Sequence, residues 1–162
     1  MVHKNKINLE KMDMYVIRHI LIDSYQHSDI IYILPKDCTC LFEYSENFEY
    51  IGNWDTSNVE DMSCMFYGSK FTGDISNWNT SNVKYMSYMF GYSEFNGDIS
   101  NWNVLNVKDV MCMFSQSKFN GNISNWNVSK ITNFKNLFKV SSFDQDISKW
   151  NINKNINIKN IF

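Results

Sequence analysis

A chain of 162 residues, 44% of them apolar, can bury one substantial core and suits a single compact domain. A formal net charge of −2 gives nucleic acid or an anionic membrane no electrostatic footing, so neither is expected as a partner. The longest apolar run, Ile30 to Leu34, is far too short to span a bilayer, so no membrane insertion is expected.

The first residues, Met1 to Lys6, are basic, but no unbroken apolar stretch follows, as a secretory signal requires. Cys38, Cys40, Cys64 and Cys112 suit free thiols in a reducing compartment better than a disulfide framework. Cys40 and Cys64 are expected one repeat apart, where a disulfide is geometrically conceivable but disfavoured in cytosol. The expectation is an intracellular, cytoplasmic protein.

Leu9, Met12, Val16, Ile17, Ile20 and Leu21 fit one apolar face of a helix, and Ile30 to Leu34 reads as a strand closed by Pro35. Residues 1–35 are therefore expected to form an N-terminal helical cap that shields the first repeat.

From residue 36 onwards a period takes over. Trp54, Trp78, Trp102, Trp126 and Trp150 recur with a 24-residue period. Phe66, Phe90, Phe114, Phe138 and Phe162 keep the same step, as do Phe71, Phe95, Phe119 and Phe143, and Ile51, Ile75, Ile99, Ile123 and Ile147. Within one repeat, Val83, Met86, Met89 and Phe90 carry helical or 3-10 spacing, whereas Phe95 to Trp102 is too short for a helix and reads as a turn and an extended segment. The expected fold is an α/β repeat, a solenoid of 24-residue coils, each a short parallel strand plus a helical or 3-10 turn. About five coils fill residues 36–162, the first and last degenerate. A lone repeat buries too little to offset its ordering entropy, so units must stack. The Ser45, Ser69, Ser93, Ser117 and Ser141 column, and the Asn columns beside the tryptophans, are expected to form ladders or to bond turn backbone. The Asn/Ile/Lys-rich run after Trp150 is expected to be frayed or covered by a partner.

The segments FTGDISNWNTSNVKYMSYMF (71–90) and FNGDISNWNVLNVKDVMCMF (95–114) resemble the BspA-like surface-protein repeat, a variant leucine-rich repeat that also occurs in tryptophan-repeat proteins of large insect-infecting DNA viruses. The resemblance covers roughly residues 38–162. It implies a leucine-rich-repeat-like solenoid and a role in binding or adhesion, and it brings no catalytic residues.

No chemistry-bearing constellation stands out. His3, His19 and His27 all precede the repeats, which leaves Ser and Cys without a partner base. Cys38-x-Cys40 is a single thiol couple where zinc needs two. Gly73, Gly97 and Gly121 are single turn glycines, and Asp74, Asp98, Asn122 and Asp146 read as solvated turns rather than a calcium site. No cofactor or metal is expected. Tyr85, Tyr88 and Tyr92 fall off the Val83–Met86–Phe90 face, with Tyr67 one repeat earlier, and are expected to face outward as a partner-binding patch. The expected function is a non-enzymatic protein-interaction scaffold, with a viral factor acting on a host protein as one form of it. A cell-surface adhesin is the alternative, and an enzyme ranks below both.

Overall fold

The protein is seen in a computed structural model, which describes residues 5–23, 29–46 and 54–162, Lys159 by its backbone alone. Its N-terminal part is a parallel strand–helix–strand unit. Strand β1 (Asn5–Asn8) pairs with β2 (Ile30–Ile33), and helix α1 (Met14–Ile22) lies between them in sequence. β2 in turn pairs in parallel with β3 (Trp54–Asp55), matching Tyr32 to Trp54 and Ile33 to Asp55.

The expected helix starts later than its apolar pattern suggests. Leu9 is buried, but it closes a turn by accepting the Met12 amide at 2.9 Å. Asp13 then caps α1, its carboxylate accepting the Tyr15 amide at 2.8 Å. Ile17 and Leu21, one turn apart, point into the core, while Met12 and Val16 are exposed. β1 gave no sequence signal because Ile7 is its one apolar residue.

Beyond residue 36 the repeating unit is written into the backbone. Single parallel bridges join Asp37 to Asp61, Asp61 to Tyr85, Tyr85 to Asp109 and Asp109 to Asn133. The expected unit is met in part: parallel pairing recurs as these bridges, a strand covers Trp54–Asp55 and a 3-10 turn covers Ile158–Asn160, but among the described residues no unit combines the two. Val83 to Phe90 forms no helical turn, and Phe95 to Trp102 forms no strand; α1 is the one α-helix among the described residues, and the parallel strands are confined to β1–β3. The Val83–Ser93 segment is instead a run of overlapping turns. The amides of Met89, Gly91 and Ser93 close turns onto the carbonyls three residues back. The amides between them, of Met86, Tyr88, Phe90 and Tyr92, donate to Asp109, Met111, Met113 and Ser115 of the next repeat at 2.8–3.0 Å. A helix would aim every amide along its own axis and leave the neighbouring repeat unbonded.

This alternation needs left-handed backbone at two places per repeat. Cys40, Cys64, Tyr88, Cys112 and Asn136 take φ of 54–57°, and Tyr44, Gly68, Tyr92, Gln116 and Val140 take 52–62°. Left-handed residues other than glycine are disfavoured. Their recurrence in repeat after repeat is tolerated because each such turn adds bonds to the next unit.

The predicted apolar columns do form the core. Phe66, Phe90, Phe114 and Phe138 stack at 5.6–5.9 Å with planes within 6°. Phe71, Phe95, Phe119 and Phe143 stack at 6.0–6.3 Å. Both spacings lie in the favourable offset-stacked range. Each later tryptophan also reaches back one repeat: the indole Nε1 of Trp102, Trp126 and Trp150 donates to the carbonyls of Ile75, Ile99 and Ile123 at 3.0–3.1 Å. Gly97 and Gly121 serve space rather than turning. A Cβ on either would sit 2.7 or 2.9 Å from the ring of Phe95 or Phe119.

The polar columns are structural, as expected. Asp55, Asn79, Asn103 and Asn127 accept the amide two residues on, and so do Asp74, Asp98, Asn122 and Asp146. Ser117 Oγ donates to the Phe114 carbonyl at 2.8 Å and accepts the Phe119 amide at 3.3 Å, and Ser141 repeats the arrangement.

The last repeat is docked rather than frayed. The Phe138 amide donates to the Ile161 carbonyl at 2.7 Å, the Asn136 amide donates to that of Asn160, and Trp150 and Ile161 are buried. Residue 51, expected to open the isoleucine column, lies outside the described residues, as do His3 and His27.

Candidate functional site

The turn segment that bonds repeat to repeat also sets out a row of tyrosines on the face away from the phenylalanine columns. Tyr67 is its centre. Its ring meets Tyr44 at 5.4 Å, Tyr92 at 5.4 Å and Tyr88 at 6.0 Å, all edge to face. Glycine makes this possible. A Cβ on Gly91 would lie 3.1 Å from the Tyr67 ring, and one on Gly68 would lie 2.5 Å from the Tyr44 ring. Each ring therefore covers the place of a missing side chain in the repeat that follows.

The four expected tyrosines do not share one environment. Tyr85 and Tyr92 are exposed, at 41% and 50%, whereas Tyr67 and Tyr88 are half-buried. Burial pushes the Tyr67 hydroxyl up to about 12, helped by its hydrogen bond with Tyr44. A hydrogen bond with Cys112 raises that of Tyr88. Both phenols stay neutral at ordinary pH. Tyr92 Oη accepts from Gln116 Nε2 in the next repeat. Tyr85 sits in a column where Asp37, Asp61, Asp109 and Asn133 accept the amide two residues on, a bond a phenol in its place cannot make. Among the described residues its ring touches no other ring.

Sequence reasoning missed Tyr44, the most exposed ring of the cluster at 67%. Its signal was available. Tyr44 and Tyr92 occupy the same column with Gly68 between them, which leaves room for both rings.

The remaining polar groups are engaged locally. Backbone amides hold the carboxyls of Asp74, Asp98 and Asp146 below their ordinary value. Lysines pair along the repeat axis with glutamates of the preceding repeat: Lys70 with Glu46, Lys118 with Glu94, and Lys84 with Glu60, which also meets Lys36 at 3.6 Å. Among the described residues no three His, Cys, Asp or Glu side chains converge as a metal site would require. No described helix is long and apolar enough to cross a membrane. At the C-terminal end an open hollow of about 450 Å³ is lined by Ile147, Trp150, Ile152, Ile156, Ile161 and Phe162.

A series of 24-residue units, bridged in parallel and carrying regular aromatic columns, defines a repeat protein. Residues 36–140 and 115–162 match the family described as "Mycoplasma protein of unknown function, DUF285". The chain belongs to that family, a BspA-like, leucine-rich-repeat-like repeat family. The matched stretches leave residues 1–35 outside. No curated protein and no solved structure matches the chain.

Proposed function

We propose that this protein is a non-enzymatic scaffold that binds a protein partner through its tyrosine ridge. The observation that carries the reading is the exposure of Tyr44, Tyr85 and Tyr92 in columns where other repeats place Gly68, Asp61, Asp109, Gln116 or Val140. The fold does not demand an aromatic at these places. Tyrosine supplies large contact area at small entropic cost and is enriched where binding energy concentrates. Tyr67 and Tyr88 hold the ridge from beneath. A non-enzymatic role is supported by the aspartates, whose carboxylates are committed to turn amides. A protein partner is favoured over nucleic acid because the net charge is −2 and four of the repeat lysines, Lys36, Lys70, Lys84 and Lys118, are paired with glutamates.

In this reading the units wind as a leucine-rich-repeat-like solenoid, residues 1–35 form its cap, and the apolar C-terminal hollow is a second surface a partner can cover. Four unpaired thiols favour an intracellular setting. A viral factor acting on a host protein is one form of the proposal, and it rests only on the resemblance of the tryptophan-bearing repeats to those of large insect-infecting DNA viruses. The adhesin alternative is favoured by the BspA-like family, and detection of the mature chain outside the cell selects it.

The test is a triple variant, Tyr44→Asn, Tyr85→Asp and Tyr92→Asn. Asparagine tolerates left-handed backbone, and aspartate is the residue the Tyr85 column uses elsewhere. The expected result is a folded protein that no longer retains, in quantitative affinity capture from a native extract, the partner held by the wild type. A folded variant with undiminished capture would overturn the ridge as the binding face.

A further inference from the structure

Cys40 and Cys64 occupy one column in consecutive repeats. The bridge between Asp37 and Asp61 puts them in register, and the Cys40 amide donates to the carbonyl of Ser63, the residue before Cys64, at 3.0 Å. Their backbones are alike, with φ of 57° and 56°, so their Cα–Cβ bonds leave the chain in the same direction. Backbones hydrogen-bonded side by side in parallel register lie about 4.8 Å apart, and these two are so bonded although neither residue is in a strand. That is inside the roughly 4.4–6.8 Å Cα window of a disulfide, and only a few tenths of an ångström wide of its usual Cβ spacing. Both side chains are half-buried, so a small oxidant can reach them. The fold does not require cysteine there, because the same column holds Tyr88 and Asn136.

The other two cysteines are placed differently. Cys38 is buried, with its thiol directed to the Pro35 carbonyl at 3.4 Å. Cys112 shares the column but is separated from Cys64 by the whole repeat that carries Tyr88, roughly twice the spacing of adjacent repeats and beyond disulfide reach.

We infer that Cys40 and Cys64 are a disulfide-forming pair, which staples the first two repeats together when the protein meets a low-molecular-weight disulfide such as oxidised glutathione. The Cys64 thiolate attacks one sulfur of oxidised glutathione and expels one glutathione thiolate. The Cys40 thiolate then attacks the Cys64 sulfur of the mixed disulfide and expels the glutathione bound there. Two cysteine thiols are oxidised by two electrons, one glutathione disulfide is reduced to two thiols, and the two cysteine protons pass to the departing glutathiones. The order follows from the hydrogen bond between the two thiols, which favours the Cys64 thiolate, while burial pushes Cys40 up to about 12. Burial raises Cys64 as well, so the reaction is slow at neutral pH and quickens as pH rises.

The pairing is independent of the proposed binding role. Its test starts from the reduced full-length chain, incubated with oxidised glutathione and then alkylated. Cleavage at glutamate puts Cys40 and Cys64 on separate peptides, since Glu43 and Glu60 lie between them. The expected result is loss of two free thiols, one intramolecular cross-link between those peptides, and a Tm that rises with the cross-link and returns on reduction. The cross-link should disappear in Cys40→Ser and persist in Cys38→Ala. Circular dichroism of both variants in the reduced state checks that they are folded. Stable glutathione adducts at Cys40 and Cys64 without a cross-link, a cross-link to Cys38 or Cys112, or disulfide-bonded dimers would each overturn the inference.

Discussion

Truncating Trp102 probes the packing of one repeat on the next. Its ring is 3% exposed, stacks nearly parallel to that of Trp78 at 6.2 Å, and meets that of Phe90 at 6.1 Å. Removing so large a buried aromatic costs about 3–5 kcal/mol through lost transfer energy and the cavity left behind. Its hydrogen bond adds little to that figure. The Ile75 carbonyl also accepts the Trp78 amide at 3.1 Å, so losing the indole donor does not orphan it. Trp102→Phe keeps a stacked ring and gives up the N–H and part of the volume, for which about 1–3 kcal/mol is expected. Lys108→Ala changes an exposed side chain and should stay within about 0.5 kcal/mol. Urea titrations give the three values from midpoint shifts at constant slope. The reasoning is refuted if Trp102→Ala costs no more than Lys108→Ala. It is also refuted if Trp102→Phe costs as much as Trp102→Ala, since ring burial would then not be the dominant effect.

Deleting residues 150–162 strips Trp150 and Phe162 from the Phe138 ring, which they meet at 6.3 and 5.6 Å; a lowered Tm and aggregation on size exclusion are expected, and an unchanged melt would mean the tail is not docked. Acid should destabilise the fold through Asp55, Asp74, Asp98 and Asp146, whose carboxyls sit below their ordinary value of 3.8 because neighbouring serine groups hydrogen-bond them. A lowered folded-state value means the stabilisation is complete above 3.8 and is lost as pH falls through the folded value beneath it. Tm should therefore drop in that acid range, and less steeply in Asp98→Asn, which keeps the acceptor as Asn122 does; a Tm that rises on acidification contradicts the assignment.

The core was legible in the sequence because five consecutive units repeat the same columns, so Val83, Met86, Met89 and Phe90 were placed inward correctly. Their backbone was not legible. Spacing of three and four residues is shared by a helix and by a run of overlapping turns, and what separates the two is where alternate amides donate. Those acceptors lie on the next repeat, remote along the chain, as Met111 is from Tyr88. For the same reason nothing local announced left-handed backbone at Tyr88 and Tyr92. In the N-terminal part, Leu9 matched the helical face by spacing yet belongs to a turn, because the Asp13 cap fixes the start of α1. At the candidate site, Tyr85 and Tyr92 are exposed as expected. The half-burial of Tyr67 and Tyr88 depends on glycines and on Cys112 in following repeats, which are contacts between columns rather than along the chain.

The central claim is that each unit lies in parallel register on the unit that follows it. Methionine methyls report this directly, since Met65, Met89 and Met113 occupy one fully buried column. In a methyl NOESY of methyl-labelled protein, cross-peaks are expected between Met65 and Met89 and between Met89 and Met113, with none between Met65 and Met113. Absence of both repeat-to-repeat cross-peaks in the folded protein would contradict the account.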